Sequence, residues 1–131
     1  MGLVSIQTVW PLQSVTQSGV EYGDDDLYRA AIGALDEAMS AQLSDLKRWL
    51  EPEPPLTGMA HADALVAAVA EHVAFHRGLD APAWVEQPQR FLRTVWYPVD
   101  LPSIRVRARV SSPASFARRM IYIERIDLER V

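Results

Sequence analysis

His72 and His76 stand four residues apart in the run Glu71-His72-Val73-Ala74-Phe75-His76. On a helix that offset puts two imidazoles on one face, the spacing of paired metal ligands. Glu71 precedes the first histidine, so the His-Glu-x-x-His order of zinc proteases is absent. A third ligand would have to come from Glu71, Asp63 or His61, and nothing in the spacing turns any of these to the same side. The expectation is a structural or partner-contacting pair without metal. His72, beside the core-facing Val73, is the one placed to hydrogen-bond across packed helices.

Other chemistry is thinly represented. Without cysteine there is no disulfide, thiolate site or cysteine nucleophile. No Gly-x-Ser-x-Gly elbow and no glycine-rich phosphate loop occurs, Gly58 and Gly78 being isolated. Asp24-Asp25-Asp26 carries charge enough for a divalent ion, but adjacent side chains diverge at a helix start, where they serve as cap and first-turn acids. No catalytic residues and no cofactor are expected. Arg105, Arg107 and Arg109 alternate with Val106 and Ala108, so a strand would gather the three arginines on one side for phosphate contact and a helix would spread them.

The elements that must position these residues follow from the apolar spacing. Tyr28, Ile32, Leu35, Met39, Leu43, Leu46 and Leu50 recur at steps of three and four, predicting one helix of about six turns that opens at Asp24–Asp26, has room to bend at Gly33 and Ser40, and ends by Pro52. Glu51-Pro52-Glu53-Pro54-Pro55 reads as a stiff extended spacer. A second helix opens between Thr57 and Asp63, buries Leu65, Val66, Val69 and Val73, and closes at Gly78. With the first it forms an antiparallel pair over 24–78. Beyond Pro82 the pattern shortens: a turn of helix over Pro88–Arg93, a helix over Pro102–Val110, a short helix capped by Ser112-Pro113 and running through Arg119, a strand over Met120–Ile123 and a last helical turn over Ile126–Val131. Residues 1–23, with Val4, Ile6, Val9 and Val15 among polar neighbours, read as a short strand or an ordered arm.

At 131 residues the chain suits one mainly α, compact domain with a short strand or turn region near its C-terminus. Its longest apolar stretch, Ala64 to Ala70, is far below a membrane span, so a cytoplasmic protein is expected. The formal charge of −4 conceals an asymmetry. Residues 1–89 hold 13 acids against four bases, net −9, whereas residues 90–131 hold nine arginines against four acids, net +5. The two parts either attract each other within one fold or keep a surface for an oppositely charged partner.

From Glu53 to the end, about 60% of the chain, a set of motifs stands out: Glu53-Pro54-Pro55-Leu56-Thr57-Gly58, Ala70-Glu71-His72, Arg77-Gly78-Leu79 leading to Pro82-Ala83-Trp84, Pro88-Gln89-Arg90-Phe91-Leu92, Trp96, and Ser112-Pro113-Ala114-Ser115-Phe116-Ala117-Arg118-Arg119-Met120-Ile121-Tyr122-Ile123. The segment resembles small actinobacterial hypothetical proteins that look like antitoxins or regulators paired with nucleotidyltransferase-like toxins. Some of these carry an added DNA-binding helix-turn-helix. The resemblance implies a non-catalytic protein-binding domain whose partner is a toxin encoded nearby. No such DNA-reading element is recognisable in the first fifty residues, and Met120 stands where a glycine is usual, implying a differently built turn before Ile121. Candidate partner anchors are Trp84, Phe91, Trp96, Phe116, Arg118, Arg119 and Tyr122, because aromatics and arginines dominate interface hot spots. The acidic helix from Asp24 to Glu53 is the alternative blocking surface. The other function class is a nucleic-acid-associated regulator using Arg105, Arg107 and Arg109 with Arg118 and Arg119.

Overall fold

The structure, a computed structural model, describes Glu21 and residues 23–124. The expected N-terminal arm up to Val20 and the last turn over Ile126–Val131 lie outside the described residues. The molecule is mainly helical, as its sequence predicts. The helices are α1 (Asp24–Ser40), α2 (Leu43–Leu50), α3 (Ala60–His76), α4 (Pro102–Ser111) and the single turn α5 (Ala114–Ala117), with 3-10 turns at Ala83–Glu86 and Pro88–Arg90.

The centre is α3. A surface helix keeps a polar face, whereas one that is apolar all round must be covered all round. Ala62 through Ala70 are all buried, well beyond the stripe of Leu65, Val66, Val69 and Val73. Leu27, Ala31, Ala34, Leu35 and Ala38 of α1 cover one side, and the two 3-10 turns and α5 pack on the others. Its start is tied by Asp63, whose carboxylate accepts hydrogen bonds from Thr57 N, Thr57 Oγ1 and Gly58 N. Its end is a left-handed turn at Gly78 (φ 70), closed by Leu79 N donating to Ala74 O and Gly78 N to Phe75 O.

The six-turn helix expected from Asp24 to Leu50 is two helices. Ala41 and Gln42 are extended, and Ser40 Oγ turns back onto the carbonyls of Asp36 and Glu37. The break is held from outside. The Arg77 guanidinium donates to the carbonyls of Ala38, Met39 and Ala41, which a continuing helix would have satisfied itself.

The helix pair also differs from the antiparallel arrangement expected. Asp24 meets His61 at the N-terminal ends (2.8 Å), and Arg77 meets Ala38 at the C-terminal ends, so α1 and α3 run parallel. A parallel pair needs a return path as long as the helix, about 25 Å for 17 residues at about 1.5 Å each. That path is α2 followed by the extended proline segment. Arg90 holds the segment against α3 by donating to both Pro54 O and Asp63 O.

In the C-terminal part the expected strand over Met120–Ile123 reduces to one parallel bridge between Trp96 and Ile121, with Trp96 N donating to Met120 O and Tyr122 N to Trp96 O. A single bridge suffices because Ile121 and Ile123 are buried against the helices rather than in a sheet. The turn before Ile121 is not built differently for lack of glycine: Met120 itself takes φ 64. Ile121 N donates to Phe116 O and Met120 N to Ala117 O, the same closure as at Gly78. Pro113, not Ser112, occupies the cap position of α5. The Ser112 hydroxyl instead donates to Ile121 O and accepts from Ile123 N.

Candidate functional site

Most of the anchors read from sequence are occupied within the fold. Trp84, Trp96 and Phe116 are buried core residues. Trp84 Nε1 donates to Leu50 O, Trp96 stacks on His61 at 4.1 Å, and Phe116 meets the edge of His72. Phe91 and Tyr122 are half-buried beneath guanidinium groups, Arg118 and Arg119 over Phe91 and Arg109 over Tyr122. A fully buried side chain presents nothing to a partner, so Arg119 in particular is an internal anchor.

Arg119 is the hub of a network that joins the two oppositely charged parts of the chain. Its Nε donates to Arg90 O (3.0 Å), Nη1 to Glu71 Oε1 (2.6 Å) and Ser115 O (2.8 Å), and Nη2 to Val85 O (2.6 Å). Arg118 bridges Glu71 and Glu86 from the surface, and the fully buried Arg90 reaches Glu53 and lies over the Trp84 ring. Hydrogen bonds from Arg118 hold the Glu86 carboxyl below its usual range, and Glu86 and Glu71 push the Arg118 guanidinium further up. Burial works the other way on Arg119 and outweighs Glu71, lowering its pKa. The charge asymmetry read from sequence is thus met internally at these pairs, with arginines of the basic part holding acids of the acidic part.

The possible phosphate-contacting trio is spread by helix α4. Arg105 pairs with Asp100 and lies over the Tyr97 ring, while Arg109 donates to the Tyr97 hydroxyl (3.3 Å). Arg107 projects elsewhere and pairs with Glu124. Arg105 holds the Asp100 carboxyl below its usual range. Between these arginines Val106 and Val110 face solvent.

A groove of about 780 Å³ lies between α1, α3 and the α4–α5 junction. Leu35 and Met39 form one wall, His72, Phe75 and His76 the second, and Ser112 to Ser115 the third. Phe75 is 77% exposed, an unusual state for a phenyl ring on a helix buried over most of its length. His72 is only 8% exposed, and burial together with the neighbouring His76 pushes its pKa down to about 4, so at neutral pH it is an uncharged imidazole. Sequence reasoning singled out the two histidines but missed Phe75. The available signal was its position off the Leu65, Val69, Val73 stripe. Among the described residues, no group of three or more metal-ligating side chains comes together, and no helix is long and apolar enough to cross a membrane.

Comparison with known proteins gives no matching family model, curated protein or solved structure.

Proposed function

We propose that this chain is a non-catalytic, protein-binding domain of antitoxin-like type, acting in the cytoplasm, and that the groove between α1 and α3 receives an apolar segment of its partner. The observation that carries the reading is Phe75, held out into solvent while lining, with Met39 on the opposite wall, the groove. Aromatic anchors next to concave apolar surface are the residues that dominate association energies. Asp36 on the α1 wall and Glu37 beside it supply an acidic rim, which favours a partner with a basic surface through steering and register. A nucleotidyltransferase-like toxin encoded nearby is the partner the sequence motifs suggest.

The test is co-expression with the product of the adjacent gene, followed by purification and a titration of the separated proteins. A stoichiometric complex is expected, weakened by about 2 kcal/mol or more in Phe75→Ser. Because Phe75 is exposed, that variant retains the native melting curve. A complex of unchanged affinity in Phe75→Ser would move the interface away from the groove. A chain that forms no complex with the neighbouring product argues against the toxin as partner.

A further inference from the structure

The α3 wall of the groove holds two imidazoles whose surroundings differ. His72 is buried, with the ring of Phe116 packed against it at 5.6 Å. His76, one turn later on the same face, is exposed. Its ring rests against that of His72 at 4.2 Å and meets Phe75 at 5.2 Å in a T-shaped contact. His72, Phe75 and His76 all line the groove. An apolar segment that covers the Phe75 anchor therefore covers His76 as well and takes it out of water.

Burial disfavours the charged form of an imidazole, and histidine is the side chain that changes charge between about pH 5 and 8. His72 already shows the effect in the free chain, where burial and the neighbouring His76 keep it uncharged at neutral pH. In the open groove water can solvate a proton on His76. Under an apolar occupant that charge would lie against the uncharged ring of His72 and the phenyl ring of Phe75. The other charged groups around the pair are few. On α3, Glu71 is held by Arg118 and Arg119, and the Arg77 guanidinium is directed at the carbonyls of Ala38, Met39 and Ala41. Asp36 lines the α1 wall and is exposed, while the α4–α5 junction contributes only Ser111 to Ser115, none of them charged.

We propose that the imidazole pair makes occupancy of the groove pH-gated: an apolar segment seats on the uncharged rings near neutral pH and is released on mild acidification. The gate rests on the groove being the docking site and adds the condition under which docking occurs. Its sign follows from linkage. The occupied groove binds fewer protons than the open one, so affinity is complete where the open-groove imidazole is uncharged and falls as pH drops and that imidazole takes up a proton.

The experiment titrates the full chain with Nile red, an uncharged apolar fluorophore, at about pH 7.5 and about pH 5.5, the two sides of the ordinary histidine range. Circular dichroism reports the folded state at both. Binding weaker by about tenfold or more at the lower pH is expected, and it is lost in Phe75→Ser if the dye sits in the groove. His76 is exposed, so His76→Gln keeps the fold. That variant binds at the higher pH as the native chain does, and the difference between the two pH values shrinks to less than about twofold. Asp36→Asn leaves the difference in place. Equal affinity at both pH values, or an undiminished difference in His76→Gln, overturns the gate and leaves the groove as a docking site intact. No binding at either pH, or binding unaffected by Phe75→Ser, overturns the gate and the groove reading together.

Discussion

The arginines of the C-terminal part fall into two groups that share a side chain and little else. Arg90 and Arg119 are fully buried, with their donors directed at backbone carbonyls and at Glu53 and Glu71. Arg105, Arg107 and Arg109 lie on the outside of α4, in contact with carboxylates and tyrosines near them in sequence. Burying a guanidinium is costly unless its donors are met, so the first group exists only because the fold aims carbonyls at it. The second group gives up little hydration and gains little from its partners. A basic sequence segment therefore need not be a basic binding surface.

Among the buried arginines the largest loss of stability is expected at Arg119. Replacing it with alanine strands the carbonyls of Val85, Arg90 and Ser115 and leaves Glu71 with Arg118 alone, a loss expected to reach about 3–5 kcal/mol. For a domain stabilised by about 5–15 kcal/mol, that is a large share. Urea denaturation of Arg119→Ala measures it, and a loss below about 1 kcal/mol would show that the network is dispensable. Arg119→Lys retains the charge but not the planar fork, and its midpoint falls between the two. Arg90→Ala costs less than Arg119→Ala, because the Arg90 Nε has no partner even in the native protein.

His72 is a buried base whose recorded contacts are with the rings of His76 and Phe116. Its folded pKa of about 4 lies below the ordinary value of 6.5, so between those values the unfolded chain binds a proton that the folded chain refuses. Stability therefore rises with pH across that window and falls on acidification from pH 6.5 towards 4. After allowance for partial solvent screening, the loss is about 2 kcal/mol. Melting curves across that range check it. In His72→Gln the histidine contribution to the slope disappears, and an unaltered slope assigns the acid sensitivity to other groups.

How far the sequence reveals this architecture depends on the range of the interaction. Helix periodicity and the Gly78 closure are local, and both are where the residues place them. A bend at Ser40 is readable, but the full break at Ala41 is not local: it is held by Arg77, more than thirty residues away, supplying donors to three carbonyls. The parallel course of α1 and α3 likewise depends on how the proline segment is pinned by Arg90, which no spacing rule reports. For the site, the four-residue offset of His72 and His76 is readable, whereas the burial of Arg119 and the exposure of Phe75 are tertiary outcomes. Aromatic and arginine residues near prolines look the same in sequence whether they anchor a partner or the fold itself.

The backbone next to Arg119 carries its own strain at Met120. Its left-handed conformation completes the turn that follows Arg119 and returns the chain to the Trp96 bridge. A side chain with a Cβ is strained there by about 1–2 kcal/mol, while glycine loses more chain entropy on folding, by about 0.5–1 kcal/mol. The balance favours Met120→Gly by up to about 1 kcal/mol, read as a small upward shift of the denaturation midpoint. A downward shift would mean that the half-exposed Met120 side chain contributes packing that outweighs the strain.

The smallest effect on stability is expected on α4, and that is what makes the test of the surface arginines informative. Replacing Arg105, Arg107 and Arg109 together by glutamine removes three charges without emptying any buried site, so the melting temperature stays within a few degrees of the native value. Arg105 and Arg107 are already paired with the carboxylates of Asp100 and Glu124, and Arg109 donates to the Tyr97 hydroxyl, so a polyanion would have to compete with two ion pairs. The helix also divides them between two faces, where a strand would have aligned them. Titrating DNA and RNA against the native chain at low salt is expected to show no saturable binding. If binding appears instead, falls linearly with the logarithm of salt concentration and is lost in the triple variant, the arginines of α4 form a nucleic-acid surface after all. The distinction drawn between buried and surface arginines would then be one between fold and function, rather than between fold and solvent.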